Sequence, residues 1–254
     1  YEFERIAKQL EEKKHQTVLE INLEQLSKNL LSYRKKLKPT TKIMAMVKAF
    51  SYGAGTAEIP KTLAHENIDY LGVANTDEGI MLRKNGVHIP IVVMNPEPSS
   101  FDELINNKLE PEIYSPKLLD EFIRELILQN KREYPIHIKI ETGMNRLGFK
   151  AEEVSQLIQQ VKSQPEVYIK SVFSHLSSTD NLEEREFTLS QIEKFETASE
   201  QIKSQFSYPN LPIHLQHHLL QHQLHLLPIM AHSPWCRQLE TPLSCLHLFS
   251  CFST

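Results

Sequence analysis

The residues best placed to do chemistry begin with a lysine. Ile43-Met44-Ala45-Met46-Val47 is an unbroken apolar run that ends on Lys48, and Ala49-Phe50-Ser51-Tyr52-Gly53-Ala54-Gly55 follows. Such a run suits a strand buried on both faces. A lysine at its carboxyl end stands where α/β folds place their chemistry. Desolvation there removes part of the charge and leaves a usable amine nucleophile or base. The competing use is structural: the lysine ends the strand and carries its ammonium out to water. Two more groups sit at strand ends. Lys139-Ile140-Glu141-Thr142-Gly143-Met144-Asn145-Arg146 closes one apolar stretch, and Phe173-Ser174-His175-Leu176 closes another. Arg146 offers a fixed donor fork that keeps its charge. Read without context, Arg146 also fits a surface ion pair and His175 a satisfied core histidine.

The elements that must position these residues alternate. Thr17–Asn22 reads as a short strand, and the leucines from Leu23 to Leu37 form a helical stripe that Pro39 stops. Strands follow at Ile43–Val47, Tyr70–Ala74, Pro90–Met94, Glu110–Tyr114 (weaker), Ile136–Glu141 and Val167–Leu176, and another begins at Leu211. Helices are predicted over Asp77–Lys84, Phe101–Asn107, Pro116–Asn130, Glu152–Lys162 and Leu182–Gln205. Short β-then-α connections argue for parallel strands with right-handed crossovers. About seven strands from Ile43 onward approach the eight of a closed (β/α)8 barrel. The fold class is therefore α/β, a TIM-type barrel incomplete after about strand 7. A doubly wound open sheet is the alternative, but the glycine-rich dinucleotide loop is missing.

The chain divides into three parts: a linker or connecting helix over 1–16, the barrel over 17–213, and an aberrant tail over 214–254. The tail has no glycine, lysine or aspartate, yet holds seven of the twelve histidines, all three cysteines and the one tryptophan, Trp235. Its His and Cys spacings match no zinc pattern, and the acids that orient ligating histidines are nearly absent, so no metal is expected. Out-of-frame translation joined to a normal body is the reading preferred for it. A net charge of −4 argues against a nucleic-acid surface. No apolar run approaches a membrane span or forms a signal peptide, and a cysteine-free body fits a cytoplasmic protein. Tyr1 in place of a start methionine reads as a fragment of a longer chain.

Met46-Val47-Lys48-Ala49 with Ser51-Tyr52-Gly53-Ala54-Gly55 resembles the cofactor-lysine motif of bacterial alanine racemases. Tyr70–Ala74 with Glu78 and Leu82-Arg83 resembles that family's second strand and helix. Lys139–Phe149 resembles its Lys-x-Asp-Thr-Gly-Met-x-Arg-x-Gly segment, with Glu141 in place of the usual aspartate, and Phe173–Leu176 resembles its Thr-His-Phe strand end. The resemblance spans roughly Thr17 to Ile213. It implies pyridoxal 5′-phosphate held as a Schiff base on Lys48, which also serves as one of two catalytic bases. It implies that Tyr52 binds the phosphate, Arg146 the phenolic oxygen, and His175 lies beside the ring. Lys139 is the position often carbamylated, where a carbamate would hold Arg146. The implied reaction interconverts L- and D-alanine for peptidoglycan, in homodimers, and the spelling Ala49-Phe50-Ser51-Tyr52 resembles forms fused behind a Mur-type ligase domain. The family's second base, a tyrosine of a C-terminal β domain, has no match here, since 214–254 contains no tyrosine. An incomplete, poorly active copy is expected. The alternatives are a stand-alone cofactor-homeostasis barrel and a non-enzymatic fragment that packs on an upstream domain.

Overall fold

The computed structural model describes residues 19–178 and 181–206, together with the backbone of two further strands at 213–217 and 249–252. Helix α1 (Leu23–Arg34) leads into β1 (Lys42–Met46). Then come α2 (Glu58–His65), β2 (Tyr70–Val73), α3 (Thr76–Lys84), β3 (Ile91–Val93), α4 (Phe101–Asn106), β4 (Glu110–Ile113) and α5 (Pro116–Leu128). The chain continues through β5 (Tyr134–Lys139), α6 (Val154–Lys162), β6 (Val167–Leu176), α7 (Arg185–Phe206), β7 (Ile213–His217) and β8 (Phe249–Phe252).

The strands form one sheet in the order β7-β6-β5-β4-β3-β2-β1-β8. Every pairing from β1 to β7 joins chain neighbours in parallel. Strand β8 runs antiparallel to β1, from Lys42 opposite Phe252 to Ala45 opposite Phe249. The end strands β7 and β8 approach each other, so the sheet curls as an incomplete (β/α)8 barrel does.

The period of two along each strand divides the apolar residues between two cores. Ile43, Ala45 and Val47 of the first strand and its end join Leu71, Val73, Ile91, Val93, Ile138 and Val172 in the layer between sheet and helices. Met44 and Met46 face the other way and meet Tyr70, Val92 and Met94 inside the curl. The expectation of a strand buried on both faces therefore holds for β1. Outside, α5 shows how the helices attach. Ser115 caps it by accepting from the Leu118 N–H, and its apolar face buries Leu118, Leu119, Phe122, Ile123 and Leu126. Phe122 meets Phe101 and Tyr134 edge-on, at centroid distances of 5.0 and 5.6 Å. Each such large side chain contributes about 1.5–3 kcal/mol when fully buried.

One sequence expectation is corrected. Leu19–Asn22 is not a strand. Asn22 instead caps α1 through its side chain, which accepts from Gln25, and Leu19 and Ile21 are exposed with no strand beside them. Thr17 and Val18 of that expectation, like the whole linker over 1–16, lie outside the described residues. Helix α2 stands where a further helix is expected after the tight turn at Gly53 and Gly55. Pro60 falls in the first turn, where the N–H groups have no intrahelical partner and proline costs little.

Candidate active site

The carboxyl ends of β1, β5 and β6 carry the chemically competent residues, each held by the loop that follows it. Lys48 is half-buried just past β1. The backbone then makes a left-handed turn: Ala49, Phe50, Ser51 and Tyr52 have φ of 51°, 54°, 53° and 57°. Left-handed conformation costs about 1–2 kcal/mol per non-glycine residue, so the turn needs support. Gly53 ends it at φ 87°, donating its N–H to the Ala49 carbonyl at 2.9 Å. The Glu78 carboxylate supplies the rest. It accepts from the Ala49 N–H at 2.8 Å and from the Ala74 N–H at 2.7 Å, tying the residue after Lys48 to the end of β2. Glu78 is itself set by the Asn75 cap of α3. Tyr52 emerges from this turn 49% exposed, and partial burial pushes its phenol up from the ordinary value.

Arg146 comes from the loop after β5. That loop folds back on its own strand: the Phe149 N–H donates to the Lys139 carbonyl at 2.8 Å, and the Glu141 N–H to the Phe149 carbonyl at 2.9 Å. The return brings Gly148 so close that a Cβ there would stand 2.5 Å from the Glu141 nitrogen, at φ 132°. Glu141 organises the loop interior. Its carboxylate accepts from the Gly143 N–H and, at 3.2 Å, from the Arg146 N–H. The longer acid thus meets two loop donors at the position where aspartate was the expected spelling.

His175 is 6% exposed near the end of β6. Its neighbour Ser174 donates to the Ile140 carbonyl at 2.8 Å and pairs with the Thr142 hydroxyl at 2.8 Å. Gln191 of α7 reaches both strand ends: its amide donates to Thr142 and its carbonyl accepts from the Ser177 N–H. Lys139, Arg146 and His175 line one cleft with Thr142 and Ser174.

Beneath this cleft the inside of the curl is polar. Glu110 and Glu112 alternate on β4, and His137 and Lys139 alternate on β5. Glu110 Oε2 accepts from His137 Nε2 at 2.8 Å, and its other oxygen accepts from Lys170 Nζ at 2.7 Å. His137 Nδ1 meets Ser171 at 2.6 Å. Burial pushes the Glu110 carboxyl up, but His137 and Lys170 outweigh it and hold it below the usual range. One layer higher, Glu112 is 0% exposed and Lys139 5% exposed, with Lys139 Nζ 3.1 Å from Glu112 Oε1. Here burial dominates and pushes the Glu112 carboxyl up to about 7, against the opposing pull of Lys139, Arg146 and Lys48.

The fold thus brings Lys139, Arg146 and His175 to one cleft, and sets Lys48 and Tyr52 at the same end of the sheet, on β1's loop. Glu112 and Gln191 escaped the sequence reading. The signal for Glu112 was present as two acids, two residues apart on a strand, facing His137 and Lys139 at the same spacing on the next. Gln191 gave none, being one polar residue in a long helix.

The family model for the alanine racemase N-terminal domain matches residues 21–224. An alanine racemase of Nostoc sp. is 36% identical over 194 residues, which cover 73% of this chain and 49% of that protein. The solved alanine racemase of Clostridium difficile 630 superposes with a TM-score of 0.71 at 29% identity, covering 77% of this chain and 51% of that one. The alanine racemase of Bartonella henselae, solved with covalently bound pyridoxal phosphate, shares the fold at 21% identity and a TM-score of 0.62, with 77% of this chain and 55% of that chain covered. The chain spans about half the length of these relatives. Among the described residues no helix is long and apolar enough to cross a membrane, and no group of three or more His, Cys, Asp or Glu could hold a metal ion. A 204-residue match that begins just before α1 and carries through β7, and a relative 36% identical, show that this chain belongs to the alanine racemase family.

Proposed function

We propose that this chain supplies the pyridoxal-phosphate-binding half of an alanine racemase, acting on L- and D-alanine. The observation that carries the reading is Lys48, half-buried past β1 with its following turn clamped to β2 by Glu78, at the sheet end that also bears Arg146 and His175. The donor set fits the cofactor: a primary amine for the aldehyde, a phenol (Tyr52) for the phosphate, a guanidinium (Arg146) for the phenolic oxygen, and an imidazole (His175) beside the ring. When bound, pyridoxal phosphate supplies the electron sink that stabilises negative charge at the amino acid's Cα. The chain's residues do the rest. Arg146 keeps its charge at any working pH and fixes the orientation of what it donates to. Lys48 takes or returns a proton at Cα from one face.

Racemisation also needs a base on the opposite face. In our reading that base is a tyrosine of a C-terminal β domain, reached across a homodimer. No tyrosine occurs between His214 and Thr254. A positioned acid–base group is worth about 10²–10⁴-fold in rate, so the 254-residue polypeptide binds cofactor with little turnover. Work in the cytoplasm for peptidoglycan synthesis, and an upstream Mur-type ligase domain, belong to the same reading. So does the division at 17–213, with 214–254 arising out of frame.

The test is reconstitution with pyridoxal phosphate, followed by borohydride reduction and peptide mapping. The adduct is expected on Lys48, and Lys48→Ala is expected to lose both it and the visible absorbance. An adduct retained on another lysine counts against the assignment. A stereospecific D-alanine assay is expected to find turnover far below the order of 10 s⁻¹ of an ordinary enzyme. Turnover at that level would show that a second base is present within these 254 residues.

A further inference from the structure

We infer that Glu112 stands in for a carbamate at this site: its buried carboxylate pairs with Lys139, keeps that amine as an ammonium that does not take up carbon dioxide, and supplies the negative charge that Arg146 works against. The inference rests on the cofactor-binding reading only for the role of Arg146; the state of Lys139 is independent of it.

Four observations carry it. The two side chains come from neighbouring strands and meet at 3.1 Å with almost no exposure, Lys139 at 5% and Glu112 at 0%. Lys139 Nζ also lies 5.6 Å from the centre of the Phe173 ring, a contact that favours a cation over a neutral amine or an anion. Neither Glu112 oxygen makes a hydrogen bond among the described residues, so the Lys139 contact is an ion pair and the carboxylate is not committed to a structural donor set. The fourth is position: Lys139, which Glu112 faces, lines the same cleft as Arg146.

Carbamate formation requires the neutral amine. Its lone pair attacks the carbon of CO₂, the N–C bond forms, one C–O π pair moves onto oxygen, and a nitrogen proton leaves to water. An ammonium has no lone pair to give. The product would also set a second anion against the buried Glu112 carboxylate, where like charges repel more strongly than in water. One anion is enough for the cations present, and β4 already provides it.

The experiment uses the full chain at pH 8.5, where Glu112 is ionised, in buffer charged with ¹³C-bicarbonate, read by ¹³C NMR for a carbamate carbon and without added cofactor. The wild-type chain is expected to give no resonance that depends on Lys139. In Glu112→Gln the lysine loses its counter-charge while staying buried, which disfavours the ammonium, and a carbamate resonance is expected to appear and to vanish again in Glu112→Gln/Lys139→Arg. Glu112→Asp, which keeps the charge, is expected to stay silent. A Lys139-dependent resonance in the wild type overturns the inference, and that measurement needs no variant to fold. Silence in folded Glu112→Gln also overturns it, because the block would then not be the work of Glu112. Failure of Lys48 to trap cofactor would sink the functional reading and leave this result standing.

Discussion

Glu78 and Glu112 are both acids near the site, and their environments give them opposite tasks. Glu78 satisfies two backbone N–H groups, those of Ala49 and Ala74. Hydrogen bonds to a charged group are worth about 1.5–3 kcal/mol each. Glu78→Ala is therefore expected to lower stability by about 2 kcal/mol or more in urea unfolding. It is also expected to weaken pyridoxal-phosphate binding, since the turn after Lys48 loses its anchor. Unchanged cofactor affinity would mean that the clamp does not position Lys48. Glu112 is surrounded by Lys139 on β5, Arg146 in the loop beyond it, Lys48 past β1 and the Tyr114 phenol beyond its own strand. Its folded-state value, about 7, lies above the ordinary 4.5. Between these two values the folded state holds a proton that the unfolded chain has released, and above about 7 the group is the carboxylate that faces Lys139. Its contribution to stability is full below about pH 4.5 and is lost as pH rises through about 7. Glu112→Gln is expected to remove that part of the slope, leaving a flatter stability profile across this window in urea titrations at several pH values. An identical slope in the variant would show that Glu112 does not titrate there.

At the scale of elements, the turns matter more than the strands. Gly148 lets the loop that carries Arg146 return onto β5, and any Cβ there meets backbone that cannot swing aside. Gly148→Ala combines a φ of 132° with that clash and is expected to cost at least about 2 kcal/mol. It is also expected to reduce cofactor binding through displacement of Arg146. Gly86→Ala is the control: its φ of 83° is similarly left-handed, but a Cβ there meets nothing within 4 Å, so it carries strain without collision. Equal losses for the two would remove the close approach as a cause. Strands β1 to β6 were legible, because apolar runs such as Ile43–Val47 and Ile91–Val93 report burial directly. The left-handed turn was hidden by the absence of any residue that demands it. Ala49, Phe50 and Ser51 all prefer right-handed backbone, and only Glu78, nearly thirty positions later in the sequence, makes the turn tenable. The site residues Lys48, Tyr52, Arg146 and His175 could be named from motifs, whereas Glu112 required knowing that β4 and β5 are neighbours in register.

For the molecule as a whole, each of β1 to β6 is followed by a helix that covers it, while the eighth position of the curl is filled by the antiparallel β8. A parallel barrel gains its closure from an eighth strand and its helix. Four residues of β8 replace them along one edge. Proteins hold a margin of only about 5–15 kcal/mol, and β7 and β8 end the sheet with no further strand hydrogen-bonded to them among the described residues, an edge that invites pairing between copies. Exposed Ile127 and Leu128 at the end of α5 add apolar surface. The purified chain is expected to self-associate with rising concentration in light scattering and to unfold over a broad range. A monomer with one sharp, reversible thermal transition would show that β8 closes the structure adequately.

Strand order also bears on how the chain is made. Because β1 to β7 are laid down side by side in the order they are translated, each new strand emerging from the ribosome finds its neighbour already in place, without a long search. The exception is the far side of β1. Its partner, Phe249–Phe252, is synthesised some two hundred residues later. At typical elongation rates of about 5–20 residues per second, that edge waits on the order of ten seconds or longer before it is paired. The strand that delivers Lys48 is thus the first to form and the last to be sealed. During biosynthesis it is the point at which chaperones, or a neighbouring nascent chain, have the longest access.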